Sequence, residues 1–271
     1  MVEDHGCISA DLMSLTCSMS ATADPPFLKV VDLHKRIGMQ WILRGVTLEI
    51  PRGSSVAIIG GSGTGKSVFL KLVMGLIPAT SGSIQVDGTE ITGLSERRLG
   101  AHRRKIGLLF QDGALFDSLT VEQNVAFPLV EAGWKDRNKI RGKVEETLEA
   151  VDLVEHLHKL PSDLSGGMRK RAALARAIIT NPLAVFYDEP TSGLDPVVAD
   201  SIDHLIRRTQ RRRSITSLVV THDMKCLEVV ADLVIFLREG VVYFSGTPEE
   251  LIKNPDPIIQ QFVLGESGET S

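Results

Sequence analysis

Short apolar runs and stretches of helical periodicity alternate along the chain. The apolar runs predict strands at residues 28–33, 46–50, 55–59, 83–86, 106–110, 183–187, 217–220, 233–237 and 241–244. Residues 46–50 alternate between polar and apolar side chains, as in a half-buried strand. Residues 55–59 are continuously apolar, as in a strand buried on both faces.

Helical periodicity occupies the intervals between these strands. A helix is predicted at about residues 65–76, and a longer helical stretch at about 111–180 interrupts the strand pattern. Another helix is predicted to begin at Thr247, because Thr247 and Glu250 have the spacing of a capping box and Pro248 suits the first helical position. Strands that alternate with helices predict a mostly parallel sheet covered on its faces.

Composition and charge narrow the class of protein. Residues 1–26 contain acidic side chains but no Lys or Arg, lack any periodicity and predict a disordered tail. The remaining chain has as many basic as acidic side chains, which argues against nucleic acid as a partner. Three cysteines give no disulfide framework, and no apolar run approaches the roughly 18 residues of a membrane span. We therefore expect a cytosolic protein that acts at a membrane only through a partner.

A glycine-rich sequence follows the strand at 55–59 and opens a helix. Its residues, Gly60, Gly61, Ser62, Gly63, Thr64, Gly65, Lys66 and Ser67, match the pattern G-x-x-x-x-G-K-[ST]. Glycines let successive backbone N–H groups turn toward phosphates, and the helix N-terminus adds its positive dipole end. Lys66 is expected to reach the β- and γ-phosphates, and the Ser67 hydroxyl to bind Mg²⁺. The sequence therefore predicts a nucleotide site.

Two carboxylates follow the apolar strand at 183–187. Asp188 and Glu189 stand where the ligands of a parallel sheet bind. Asp188 suits a Mg²⁺ shell, and Glu189 suits a general base that takes a proton from the attacking water. An acidic pair after a strand can also simply cap a helix, and the upstream phosphate loop favours the catalytic interpretation.

A second candidate anion site lies about 100 residues downstream of the phosphate loop. Residues 164–168, Leu-Ser-Gly-Gly-Met, precede the helical run 169–179. Ser165, Gly166 and Gly167 offer a hydroxyl and free backbone N–H groups at a helix N-terminus. An ordinary capped helix is the equally weighted alternative.

The order of these motifs resembles the ATP-binding-cassette (ABC) ATPase family over roughly residues 27–250. The motifs, in chain order, are the phosphate loop, Gln111, residues 164–168, residues 188–189, Ser-Gly-Leu-Asp at 192–195 and Thr-His-Asp at 221–223. The resemblance implies an α/β P-loop NTPase fold: a RecA-like, mostly parallel sheet, an N-terminal antiparallel β region and an inserted helical subdomain at about 112–180. Residues 251–271 would form a C-terminal extension.

The resemblance also gives roles to residues that would otherwise be ordinary polar side chains. It implies that Gln111 senses Mg²⁺ and the γ-phosphate, that Asp195 belongs to the D-loop, and that His222 is the switch histidine. Together with Glu189, Gln111 and His222 are the expected catalytic residues. In this family two chains pair head to tail, so that ATP on the phosphate loop of one is covered by the signature, Ser165–Gly167, of the other.

Two positions depart from the usual family pattern. Ile37 stands about where an aromatic residue normally stacks on adenine, and Trp41 is a candidate substitute, although an ordinary surface or core tryptophan is the simpler interpretation. Met168 replaces the commoner glutamine at the end of the signature. The backbone donors of the signature remain, so we expect closure over ATP to be preserved.

Further features resemble the ATPases of Mla-type phospholipid transport systems, which maintain outer-membrane lipid asymmetry. They are residues 108–116 (LLFQDGALF), Met168, residues 254–257 and residues 261–262. The resemblance implies an MlaE-like permease, an MlaD-like MCE-domain lipid-binding protein and, in some systems, an MlaB-like STAS-domain subunit. It implies a location on the cytoplasmic face of the inner membrane, where the chain would be peripheral.

Other ABC systems are the alternatives. An ATPase for amino-acid uptake or lipoprotein release is the second candidate, because cassettes differ little between substrates. A non-transport ABC ATPase acting on nucleic acid is disfavoured, because long coiled coils and a second cassette are missing from the sequence. The basic clusters at 103–105 and 211–213 are interpreted as solvated faces.

The segment from Gln111 to Phe127 is expected to form part of a groove for a coupling helix of the permease. Ala114, Leu115 and Phe116 would supply apolar contacts there. The equally weighted alternative is that these three side chains pack inside the helical subdomain.

Overall fold

The described part of the protein contains two β-sheets and a group of helices. The computed structural model describes residues 25–111 and 113–265. The predicted disordered tail lies outside the described residues, apart from its last two positions. The strands are β1 (Leu28–Ile37), β2 (Gln40–Ile50), β3 (Ser55–Ile59), β4 (Ser81–Val86), β5 (Thr89–Glu90), β6 (Ile106–Leu109), β7 (Ala184–Asp188), β8 (Thr216–Val220), β9 (Leu233–Arg238) and β10 (Val241–Gly246). The helices are α1 (Lys66–Val73), α2 (Glu96–Arg103), α3 (Val121–Glu131), α4 (Arg137–Ala150), α5 (Gly166–Ile178), α6 (Pro196–Arg213), α7 (Met224–Val230), α8 (Pro248–Ile252) and α9 (Pro257–Leu264), with 3₁₀ turns at Val154–His156 and Pro161–Asp163.

The larger sheet has six strands in the order β10-β9-β3-β8-β7-β6. Only β10 runs antiparallel to its neighbour, and all other pairs are parallel. Every residue of β3 and β8 is buried, because helices cover both faces. This arrangement confirms the predicted P-loop NTPase sheet, and it brings the carboxyl ends of β3, β8 and β7 to one edge.

The smaller sheet is antiparallel, with the order β2-β1-β4-β5, and confirms the predicted N-terminal β region. Its first two strands are longer than the sequence pattern indicates. The pairing of β1 with β2 shifts between Val30 and Leu33, and Asp32 at this irregularity has a φ of 48°. Such a bulge breaks the alternation of polar and apolar positions. The sequence pattern therefore predicted only the first half of β1.

Helix α1 packs between the two sheets. Its residues Phe69, Leu70, Leu72 and Val73 are buried in one cluster with apolar side chains from both sheets. The helix is shorter than predicted and ends at the C-cap Met74, before Gly75, which has a φ of 63°. This packing fixes the phosphate loop, which directly precedes α1, relative to both sheets.

The prediction of helix from about residue 111 onward is wrong for residues 113–120, which contain neither helix nor strand. The fully buried Asn124 holds this segment. Its Nδ2 donates to the carbonyl oxygens of Phe116 and Leu119 at 3.0 and 2.9 Å, and its Oδ1 accepts from the Phe116 N–H at 2.8 Å. One side chain thus satisfies backbone groups that a helix would have paired internally.

The capping box at the start of α8 is confirmed. The Thr247 hydroxyl accepts from the Glu250 N–H, and the Glu250 carboxylate accepts from the Thr247 N–H. Beyond it, α9 packs on the edge of the large sheet, where the Phe262 and Phe236 rings have centroids 4.9 Å apart. None of the described helices is long and apolar enough to cross a membrane.

Candidate nucleotide-binding and catalytic site

The phosphate loop joins β3 to α1 and requires glycine at its first position. Gly60 has a φ of 150°, and a Cβ there would lie 2.3 Å from the carbonyl oxygen of Leu237. The Lys66 ammonium donates to the carbonyl oxygens of Gly60 and Gly61 at 2.8 and 2.9 Å. Burial lowers the pKa of Lys66, and the nearby carboxylates of Glu189 and Asp188 oppose that shift. The carbonyl oxygens of the loop therefore hold the partly buried Lys66 ammonium in place. In this position the ammonium can contact the oxygens of a bound phosphate.

Two oxygen-bearing side chains, Ser67 and Asp188, meet beside the loop. The Ser67 hydroxyl donates to Asp188 Oδ1 at 3.1 Å, although 121 residues separate them in sequence. The described residues contain no cluster of three or more His, Cys, Asp or Glu side chains that could hold a metal ion. One carboxylate and one hydroxyl fit Mg²⁺, which usually takes few protein ligands and completes its shell with phosphate oxygens and water.

Glu189 and His222 lie next to each other. Glu189 follows β7, His222 lies two residues beyond β8, and His222 Nδ1 is 2.9 Å from Glu189 Oε2. Parallel neighbouring strands bring these two positions to the same edge. The Glu189 carboxylate is largely buried and the His222 ring is exposed. The expected base and the expected switch histidine therefore form one pair.

Gln111 lies beyond the end of β6 and contacts the segment that precedes α6. Its Nε2 donates to Ser192 Oγ at 3.4 Å. In the described part of the chain, no hydrogen bond joins Gln111 to Ser67 or Asp188, so its expected role at the metal stays a prediction.

The signature residues form the N-terminus of α5. The Ser165 hydroxyl accepts from the Met168 N–H at 3.3 Å, and a Cβ on Gly167 would lie 2.5 Å from Val198 Cγ1. Asp195 caps the neighbouring helix α6 by accepting from the N–H groups of Val197 and Val198 at 3.1 and 3.0 Å. The signature and Asp195 thus share one surface, and their predicted contacts with nucleotide stay predictions.

No hydrogen bond or ion pair connects the signature with the phosphate loop within residues 25–111 and 113–265. The chain therefore carries two candidate phosphate-binding surfaces that are not joined by polar contacts.

A cavity of about 420 Å³ lies beside the phosphate loop. Residues 62–64 line it together with Trp41 from β2, whereas Ile37 does not. Trp41 is 41% exposed, and its ring is flanked by His34 and by the Arg36 guanidinium. Its position next to the phosphate loop favours Trp41, rather than the residue at position 37, as the side chain that contacts a base.

A second cavity, of about 790 Å³, lies between α3, β6 and α5. Four exposed aromatic side chains line it: Phe110, Phe116, Phe127 and Trp134. Arg104 and Arg176 add positive charge. We call this cavity the apolar groove.

The expectation for residues 114–116 is met only in part. Ala114 and Phe116 line the apolar groove, whereas Leu115 is partly buried and packs against the core of the helices. Leu115 therefore packs inside the helical subdomain, whereas Ala114 and Phe116 face the groove.

Sequence reasoning missed Lys170. This residue of α5 is buried, and its ammonium donates to the main-chain oxygens of Gln111 and Glu189. The sequence did contain a signal for its burial. Lys170 lies on the same helical face as Ala173 and Ala177, three and seven residues further on, and this face is apolar.

Comparison with known proteins agrees with this geometry. The family model described as ABC transporter matches residues 43–192. A relative from Mycobacterium leprae, named Probable ribonucleotide transport ATP-binding protein mkl, is 42% identical over 88% of this chain and 69% of its own length. The intermembrane phospholipid transport system ATP-binding protein MlaF of Haemophilus influenzae is 40% identical over 89% of this chain and 91% of its own length. The methionine import ATP-binding protein MetN of Carboxydothermus hydrogenoformans is 42% identical over 80% of this chain and 65% of its own length.

Among solved structures, the ATP-binding cassette MJ0796 superimposes with a TM-score of 0.75. It is 31% identical in sequence, and the match covers 82% of this chain and 98% of that one. It was determined as a dimer in a post-hydrolysis state bound to ADP and Pi.

Proposed function

Since the chain belongs to the ABC transporter family of ATP-binding, ATP-hydrolysing subunits, we propose that it energises a separate permease that moves phospholipid. The observation that carries the lipid assignment is the similarity to MlaF, which extends over nine tenths of both chains. The match to MetN covers a smaller part of its relative and keeps amino-acid uptake as the second candidate.

The proposed chemistry uses the groups at the edge of the large sheet. Lys66 and the backbone of the phosphate loop bind the β- and γ-phosphates. The Glu189 carboxylate accepts the proton of the attacking water, and His222, 2.9 Å away, orients that carboxylate. Ser67 and Asp188 would hold Mg²⁺, which neutralises charge developing on the phosphates.

We propose that two copies assemble head to tail around ATP. The position of the signature at the N-terminus of α5 supports this, because its backbone N–H groups can meet the phosphates of a nucleotide held by another copy. The dimeric state of the related cassette MJ0796 adds support. ATP then acts as a bridge between subunits, and its hydrolysis releases them.

The apolar groove is the proposed docking site for the permease, which would hold the chain at the cytoplasmic face of the inner membrane. Its exposed aromatic side chains form an apolar surface of the kind that receives a partner helix. The further proposed partners are an MCE-domain lipid-binding protein and, in some systems, a STAS-domain subunit.

The test is purification of the complex from detergent-solubilised membranes, with partners and lipid identified by mass spectrometry. The complex is then reconstituted in proteoliposomes that contain labelled phospholipid. We expect ATP-dependent transfer of the lipid, and no transfer with the Lys66→Ala variant. Stimulation of hydrolysis by amino acids alone would instead favour an uptake system.

A further inference from the structure

Helix α5 carries a lysine that contacts two catalytic loops. Lys170 is 6% exposed. Its ammonium donates to the main-chain oxygen of Gln111 and, at 3.5 Å, to that of Glu189. These two residues are 78 positions apart in sequence, and Lys170 joins the backbone of one to that of the other.

The backbone of Glu189 adopts a conformation that needs support. Its φ of 49° lies in the left-handed region, which is unfavourable for a residue with a long side chain. The Glu189 N–H donates to the Val220 oxygen at 2.9 Å, and its carbonyl oxygen accepts from the Ser192 N–H at 3.2 Å and from Lys170. Lys170 thus contributes to the bonds that hold this backbone, and the backbone sets the direction of the carboxylate toward His222.

A second cation of α5 binds the wall of the apolar groove. Arg176 donates to the carbonyl oxygens of Ala114 and Gly113 at 2.7 and 2.9 Å. Ala114 lines the groove. One helix therefore holds the groove wall through Arg176 and the catalytic loops through Lys170.

We propose that Lys170 is a positioning residue for hydrolysis. Its hydrogen bonds fix the backbone positions of Glu189 and Gln111. Because Arg176 of the same helix holds the groove wall, α5 connects the position of that wall with the positions of these two residues. The proposal rests on the proposed function of the site, and it assigns Lys170 no direct contact with ATP.

The substitution Lys170→Met tests this, because methionine keeps the length and apolar stem of lysine without its donors. We expect kcat to fall about 10- to 100-fold, whereas KM for ATP and the affinity for a non-hydrolysable ATP analogue change by less than about twofold. Lys170→Arg retains donors and is expected to recover a large part of the rate. A KM effect with unchanged kcat would overturn the proposal.

Arg171→Met is the matched control on the same helix. Arg171 donates to the Val151 oxygen, Asp152 and Ser201 at 2.9, 2.9 and 2.6 Å, and none of these bonds reaches a catalytic loop. We expect this variant to lower the unfolding temperature and to leave kcat per folded molecule unchanged. An equal loss of kcat in both variants would mean that Lys170 is merely structural.

A double variant separates positioning from packing. In the Glu189→Gln background the carboxylate that Lys170 orients is already lost, so Lys170→Met should lower the residual rate by less than about threefold. A full multiplicative loss would overturn the proposal that Lys170 acts on hydrolysis through the Glu189 carboxylate. If Lys66→Ala hydrolyses ATP as fast as the unaltered chain, the proposed function fails instead, whatever the Lys170 variants do.

Discussion

His222 Nδ1 lies 2.9 Å from Glu189 Oε2, at the carboxyl ends of two adjacent parallel strands. The carboxylate is largely buried while the imidazole is exposed, so the ring covers the carboxylate on its solvent side. A carboxylate held in one direction is well placed to accept a proton from a positioned water molecule.

Glu189→Gln keeps the shape of this side chain and removes its basicity. We expect ATP binding to be retained and hydrolysis to fall by about 10²–10⁴-fold. Because the bridging γ-phosphate then persists, size-exclusion chromatography with ATP and Mg²⁺ should show a dimer. Glu228→Gln, which alters an exposed glutamate of α7, is the control and should hydrolyse ATP normally. A rate for Glu189→Gln close to that of the control would contradict the assignment of the base.

The positions of Ser67, Asp188, Glu189 and His222 at one edge of the large sheet were predictable, because these residues belong to short motifs next to strongly apolar strands. The pairing of Glu189 with His222 follows once β7 and β8 are neighbours. The burial of Lys170 had a signal in the helical pattern, but its partners did not, because they are backbone oxygens of distant loops that no motif marks. The second half of β1 was missed because the bulge at Asp32 breaks the alternation of polar and apolar positions. The segment at residues 113–120 was missed because the Asn124 side chain replaces the backbone hydrogen bonds of a helix there.

Trp41 is expected to contribute to nucleotide binding. Trp41→Ala should weaken ATP binding by at least about fivefold, because stacking of a base on an aromatic ring contributes about 1 kcal/mol or more. Isothermal titration calorimetry measures this, with Trp41→Phe retaining most of the affinity. Ile37→Ala is the matched control, since Ile37 is exposed and does not line the cavity beside the phosphate loop. Equal losses for Trp41→Ala and Ile37→Ala would contradict the assignment.

The apolar groove can be tested with two neighbouring residues. Phe116 is 43% exposed, so Phe116→Asp should fold with a nearly unchanged unfolding temperature and lose co-purification with the permease. Leu115→Asp should instead be strongly destabilised, because it buries a carboxylate against the core. A Phe116→Asp variant that still binds the permease and is stimulated by it would exclude the groove as the docking site.

Asp203 is expected to reduce stability at neutral pH. This residue of α6 is 2% exposed, and its Oδ1 has no hydrogen-bond partner in the described part of the chain. Burial raises the pKa of Asp203 to about 6, an effect that the Cys226 thiol only partly offsets. Between pH of about 4 and 6 the folded state therefore holds a proton that the unfolded state has lost, so the free energy of unfolding falls as pH rises through this window.

Asp203→Asn removes this penalty. We expect the variant to gain on the order of 1–3 kcal/mol in free energy of unfolding at pH 7. The gain should shrink as the pH falls from about 6 to 4, because the folded aspartate then keeps its proton and the unfolded aspartate begins to take one up. Chemical unfolding of both proteins across this pH range measures the difference between their free energies of unfolding. The contributions of other carboxylates cancel in this difference. A variant less stable than the unaltered protein at pH 7 would mean that the Asp203 carboxylate is stabilised by contacts other than those described.

The central claim is that each ATP site is built from the phosphate loop of one copy and the signature of another. Lys66→Ala disables the first element and Ser165→Arg the second, so each variant alone is expected to be inactive. Mixed in equal amounts, they form heterodimers in which one of the two sites is fully intact. The measurement is the ATPase rate of that mixture: we predict recovery to about one quarter of the unaltered rate if pairing is random and the sites act independently. A mixture no more active than the separate variants would contradict the shared site.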